Sequence, residues 1–456
     1  MHWLAGFVTW RNAAVMLLSA CASCAAAQIS LGSAVGLAVK NDPRVKMARA
    51  DVDRAKALLS ETKDAFVPSV SSSGGIGKSV GVPLSTPVVF SIAAQSLVIN
   101  FSQINYVRAA DAGVDAATYA LEQAQNDVAD DAVTTYISLD NARQRQKALA
   151  EASAIASRLV KIVQERYSAG TDAHIELTRV MYTAATIRLQ NLQVENEIGN
   201  LSEHLGRMMG LGTSVTTVHD SIPAFAAIAD TAKSAPDGPG MKAALATAAS
   251  KDFMARGDAK YRLLPQVAFG AGYSRISTVG NNYAQYYPGF DPDKHPGISY
   301  NSLDLGVQIS VPLLDLLHTA KARASRAEAA RAKFEAENQR MQLATGQSKA
   351  LRTAKELEAR AEIASLARDL AQDQIDAIEL QLKADATPQE GAQPVSPKDE
   401  QNARLQERQR YVEMLQDEAE LRQAEVSLMR QTGQLESWLQ LTIEAPAAGS
   451  TTAIRP

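Results

Sequence analysis

The sequence predicts a mostly α fold with a small β part, built as a tandem repeat of two strands plus a long helical hairpin. Three observations carry this reading. The strand entry Phe66-Val67-Pro68 has a counterpart in Leu263-Leu264-Pro265. Each entry leads into a very long Ala-rich stretch of helical composition, about Phe101 to Ala169 and about Leu316 to Ala384. Short segments between entry and helix alternate apolar and polar residues with the period of a strand. A helix of some 68 residues would be about 100 Å long. Such a rod cannot bury itself in a globule and must pack along other rods as a hairpin or coiled coil.

The N-terminus reads as an export signal over residues 1–27, leaving 28–456 as the mature chain. Arg11 is the positive flank, Ala13 to Leu18 the apolar core, and small residues follow. Two processing sites are open. Ala25-Ala26-Ala27 suits ordinary signal peptidase, whereas Leu18-Ser19-Ala20-Cys21 suits a lipoprotein signal with Cys21 as lipid anchor. A first helix from about Ser30 to Ala65 runs to the strand entry. From Ser30 to Pro68 it would be about 55 Å long, while ten extended residues after Cys21 reach at most about 35 Å. That reach favours cleavage after Ala27 if the helix climbs toward a membrane. No later segment holds the roughly 18 consecutive apolar residues of a spanning helix, so a membrane-crossing form must be a barrel.

Repeat one covers about 28–210 and repeat two about 228–439. Asn41-Asp42-Pro43 in the first helix matches Gly238-Pro239-Gly240 in a second, about Thr231 to Arg262. Further on, Ile99-Asn100 matches Leu314-Asp315, Arg108-Ala109 matches Arg323-Ala324, and Arg207 and Gly210 match Arg430 and Gly433. The growing offset places one insertion in the second strand pair and a shorter one between the second long helix and its return partner, where loop tips tolerate length.

Among the strands, Leu303, Leu305, Val307, Ile309 and Val311 alternate with Asp304, Gly306, Gln308 and Ser310. Val267, Phe269, Ala271 and Tyr273 repeat the pattern, and Phe90, Ile92 and Ala94 do so more weakly. Two readings stand: a half-buried soluble sheet, or a lipid-facing wall with an aromatic girdle (Tyr283, Tyr286, Tyr287, Phe290, Tyr300) and a wet lumen. Four strands cannot close a barrel with a lumen, so the second reading demands several chains.

The long helices carry apolar stripes, for example Ile155, Leu159, Ile162 and Val163 before the first tip, and Leu177, Val180, Met181 and Ala184 after it. At that tip, Arg166-Tyr167-Ser168-Ala169-Gly170-Thr171-Asp172-Ala173, Gly170 can supply a positive φ and Asp172 can cap the next helix. The second tip runs from Lys383 to Pro397, with Ser396 as cap and Pro397 at the first helical position. Each tip is either a plain connector or a docking point for another protein's helical hairpin. For the first tip the docking residues would be Tyr167, Ser168, Ala169, Gly170, Thr171 and Asp172.

Other chemistries find little support. The chain of 456 residues has a net charge of −4 with both signs interspersed, so no basic face argues for nucleic acid. Its two cysteines, Cys21 and Cys24, leave the body without a disulfide, thiolate site or cysteine nucleophile. Ser72 to Ser79 resembles a phosphate loop, but Val82-Pro83 and Pro87 forbid the helix that should follow. The six histidines lack metal-ligand spacing; His174 reads as a solvated or capping residue. Glu328/Arg331 and Glu356/Arg360 read as helix-surface pairs. No catalytic arrangement stands out, and neither an enzyme, a metal nor a cofactor is expected.

Taken together in order and spacing, Ser33-Ala34-Val35 to Asn41-Asp42-Pro43, the Pro68/Pro265 entries, Leu314-Asp315, Arg166-Tyr167 with Gly170, and Leu205 to Gly210 resemble the TolC-type outer-membrane efflux proteins. The resemblance implies a homotrimer in which each chain gives four strands to a 12-stranded β-barrel, joined to a long periplasmic α-helical barrel. An equatorial belt would come from about 211–231 and 438–456. It implies a passive export duct in a tripartite efflux or type I secretion system, set in outer-membrane lipid. A periplasmic adaptor and an inner-membrane pump would be its partners. The family's periplasmic gate positions fall on Glu176 and Arg179 in the first repeat and on Asp399 and Asn402 in the second. Asp399 is equally suited to capping a helix. A rival from another class is a soluble periplasmic coiled-coil adaptor or structural protein, but adaptors carry one hairpin with flanking domains and this chain has two hairpins.

Overall fold

The computed structural model describes residues 28–75, 88–212, 215–218, 221–223, 238–261, 264–276, 301–313, 315–384 and 396–444. The signal segment with Cys21, the loop aromatics of 277–300 and most of the second tip lie outside them. The chain divides into two compact units, one of residues 1–47, 123–238 and 342–456, the other of 48–122 and 239–341.

The expected first helix is two helices, α1 (Leu31–Asn41) and α2 (Pro43–Asp64). Asp42 takes φ −58° and ψ 132° because the residue before a proline is pushed out of the helical region. Its carboxylate then accepts the Arg44 backbone N–H at 2.7 Å, holding the first turn of α2. Next come β2 (Ser69–Gly74) and β3 (Val88–Ile99), following a short β1 (Gln28–Ile29) that precedes α1. α3 (Phe101–Ser168) is one helix of 68 residues and α4 (His174–Met209) its return partner of 36. After β4 (Thr216–Thr217) the second repeat gives α5 (Pro239–Lys260), β5 (Gln266–Ile276), β6 (Asn301–Ser310), α6 (Leu316–Ala384), α7 (Pro397–Thr432) and α8 (Leu435–Glu444).

Equivalent residues punctuate both repeats. Asn100 Oδ1 accepts from the N–H groups of Ser102 and Gln103 at 2.9 and 3.0 Å, and Asp315 Oδ1 from that of His318 at 3.0 Å, so α3 and α6 start on matched caps. Gly210 and Gly433, at φ 72° and 73°, end α4 and α7 in the left-handed conformation that glycine adopts without penalty. The surface pairs are partly as expected. Arg360 meets Glu356 at 2.7 Å. Arg331 instead pairs with Glu335 at 2.8 Å, one turn onward, and Glu328 is taken by Lys251 of α5 at 2.6 Å.

In the unit that holds the sheet, four antiparallel strands run in the order β2-β3-β5-β6. α5 approaches α3 closely: a Cβ on Gly257 would stand 2.5 Å from the Tyr106 ring, so only glycine fits. Beside it, buried Asp258 accepts from the Tyr106 hydroxyl at 2.6 Å and pairs with Lys321 of α6 at 3.0 Å.

In the other unit, α3 and α4 bury Ala152, Ala156, Leu159, Val163, Leu177 and Ile187 between them. The short β1 and β4 strands pair in parallel. Tyr136, fully buried, fixes them to α3 by donating to the Ile29 carbonyl at 2.7 Å and accepting from Val218 N–H at 2.8 Å. Among the described residues no helix is long and apolar enough to cross a membrane.

Candidate functional site

Two places carry the chain's distinctive chemistry: the hairpin tips and the faces of the sheet. At the first tip α3 ends in hydrogen bonds from Ala169 N–H to the Glu165 carbonyl (3.0 Å) and from Gly170 N–H to that of Tyr167 (3.0 Å). Gly170 has φ 74°, as the turn requires. Tyr167, Ser168, Ala169, Gly170 and Thr171 are exposed. The Tyr167 ring meets His174 edge-on at 5.6 Å between centroids.

Asp172 does not cap α4. The cap residue is Ala173, without a side-chain bond. The Asp172 carboxylate is turned to Arg166, whose Nε and Nη2 reach it at 3.0 and 3.1 Å in a bidentate pair. Lys398, the second residue of α7, adds a contact at 3.5 Å and reaches Glu176 Oε2 at 3.1 Å. Glu176 is shared, because Arg179 holds its other oxygen at 2.8 Å. The first tip and the start of α7 are thus joined by one chain of ion pairs. The Arg166 hydrogen bonds hold the Asp172 carboxyl below the usual carboxylate range, with Lys398 assisting.

Asp399 sits three residues into its helix and reaches back to Ser396, accepting from its N–H at 2.9 Å and its hydroxyl at 2.7 Å. These bonds, chiefly that from the hydroxyl, keep its carboxyl low, with Lys398 and Arg166 adding to the effect. Asn402 lies exposed one turn further along α7. The structure therefore brings Asp172, Glu176 and Arg179 into one network, places Asp399 beside it in a capping role, and leaves Asn402 apart. Sequence reasoning missed Lys398. The available signal was its position: a cation in the first turn of a helix opposes the macrodipole and calls for an external anion.

The sheet separates two surfaces. Across the pairing register, Ser73, Ser91, Ser274 and Ser302 form one continuous row, and Ser71, Ala93, Gly272 and Asp304 the next on the same face. The opposite face carries Leu303, Leu305, Val307 and Ile309, exposed by 70, 68, 64 and 68%. The serine row was invisible in the sequence because it exists only once the register is known.

Residues 34–211 match the family model described as outer membrane efflux protein. No curated protein matches the chain. Among solved structures, the CmeC outer membrane channel of Campylobacter jejuni aligns at 17% identity and TM-score 0.70 over 89% of this chain and 86% of its own. VceC, an outer membrane protein of Vibrio cholerae, gives 16% and 0.69 over 88% and 96%. The open state of the Neisseria gonorrhoeae MtrE outer membrane channel gives 11% and 0.61 over 89% of both chains. At these identities the likeness to the solved channels is one of fold.

Proposed function

We propose that the chain is a member of the outer membrane efflux protein family, whose model residues 34–211 match and whose solved channels share its fold, and that three copies form one passive export duct. The observation that carries this reading is the division of the sheet: a bare apolar face on one side, serine, glycine and aspartate on the other. Water would not leave such an apolar face uncovered, whereas lipid satisfies it without a further protein layer. Four strands per chain are too few to enclose a lumen, and three copies supply twelve.

In this reading the helical hairpins lead through the periplasm and the tips form its inner end. Asp399, Asn402, Glu176 and Arg179 are the gate residues, and Tyr167 to Asp172 receive a periplasmic adaptor that couples the duct to an inner-membrane pump. Three copies of Asp399 around an axis would repel each other and attract cations. Single-channel recording in planar bilayers tests both parts. The detergent-extracted protein should conduct, and Asp399→Asn, which retains an acceptor for Ser396 but removes the charge, should raise conductance or weaken divalent-cation block. Conductance and block unchanged in Asp399→Asn remove Asp399 from the gate; protein that never conducts removes the duct.

A further inference from the structure

The internal repeat writes one surface twice. Within the unit that holds the sheet, α3 and α6 each leave the sheet on an apolar first turn and carry an arginine two turns later: Phe101 and Arg108 on α3, Leu316 and Arg323 on α6. The spacing is the same in both, so apolar residue and cation share one helix face, about 10 Å apart. On α3 that face is free. Gln103 donates to the Thr62 carbonyl of α2 at 2.7 Å, while Ser102, Tyr106 and Ala109 meet Gly257, Asp258 and Ser250 of α5. Phe101, Ile104 and Arg108 are left exposed. On α6, Lys321 and Ser325 turn to Asp258 and His318 stacks on Tyr261. Helical spacing puts exposed Leu316 and Arg323 on the opposite side.

This surface continues the bare side of the sheet. Val311 and Leu313 carry the apolar series of β6 past its end, exposed by 43 and 73%, and Leu316 follows at 75%. Neither the Arg108 nor the Arg323 guanidinium has a partner among the described residues. The first exposed acids along the two helices come later, Asp111 on α3 and Glu328 on α6, and Lys251 already takes Glu328. A helical side chain leans toward the N-terminus of its helix, so both arginines lean back toward the sheet and away from these acids.

We propose that these faces form a collar for phospholipid. Acyl chains lie against Phe101, Ile104, Leu313 and Leu316, and Arg108 and Arg323 bind headgroup phosphates of the leaflet on the helical side of the sheet. The occupant is a phospholipid because the apolar surface runs on from the bare sheet face and ends on unpaired cations at headgroup depth, about 5–8 Å beyond the hydrocarbon. This rests on the duct proposed above and names the lipid chemistry that sets its depth in the membrane. Phe101→Trp and Leu316→Trp, placed in bilayers brominated on the acyl chains, should each lose the fluorescence they add over wild type in unbrominated bilayers. Phosphatidylglycerol titrated onto the detergent-extracted protein, read by native mass spectrometry, should bind more tightly than phosphatidylcholine with the same chains, whose choline offsets the phosphate charge. Arg108→Gln and Arg323→Gln should each weaken phosphatidylglycerol binding about fivefold, and Arg108→Lys and Arg323→Lys should retain it. Inorganic phosphate at equal concentration should not compete; competition would mark a site for the free anion and overturn the lipid. Fluorescence indifferent to bromine, or affinity unchanged in both glutamine variants, from protein that conducts and sediments as three chains overturns the collar and spares the duct. Wild-type protein that neither conducts nor sediments as three chains overturns both.

Discussion

Lys398 is the residue on which the tip turns. It lies in the first turn of α7, where the helix dipole disfavours a cation, and is held by Asp172 and Glu176 of the first hairpin. The low carboxyl of Asp172 fixes the sign of its pH dependence. Its folded-state pKa is depressed, so the stabilisation is present above the ordinary carboxylate range and disappears only as pH falls through the lowered value. The clamp is therefore intact at neutral pH. Lys398→Glu would set a third carboxylate against Asp172 and Glu176. It is expected to loosen the tip and raise open-channel conductance in bilayers at neutral pH, whereas Lys398→Arg, which keeps the charge, should leave conductance near wild type. Equal conductance in all three proteins would mean that the clamp does not hold the gate.

At the scale of elements, the helices were readable because their ends are written locally. Asn100, Asp315, Pro397, Gly210 and Gly433 are caps or breakers whose chemistry acts within a few residues. The Asp42-Pro43 break is equally local, yet the sequence reading ran the helix through it, since the apolar pattern continues on both sides. Glu335, the partner of Arg331, stands four residues on in the same helix, whereas the partners of Lys398, the serine row and the partner of Glu328 were out of reach because each depends on a residue brought near only by folding. Glu425 of α7 is of this kind. Half-buried, it is pushed up to about 7 by burial, with Glu358 of α6 adding repulsion and Arg422 opposing. A carboxyl whose folded-state pKa is raised favours the fold below its ordinary value of 4.5, and that advantage is lost as pH rises to about 7. Glu425→Gln should therefore melt higher than wild type at pH 8, with the gap closing as the pH of the melt approaches 4.5. A gap that does not change with pH would show that Glu425 is freely ionised in the fold.

For the molecule as a whole, the strand count is what argues for the proposed assembly. A barrel of about eight strands encloses only enough room for its own side chains, and each chain brings four. In the proposed duct the apolar stripe of β6 would face lipid. The direct test is sedimentation equilibrium of the detergent-extracted protein with the detergent matched in density. The account predicts a protein mass of three chains, obtained only when detergent is present. A single chain that stays dissolved in buffer alone would contradict it.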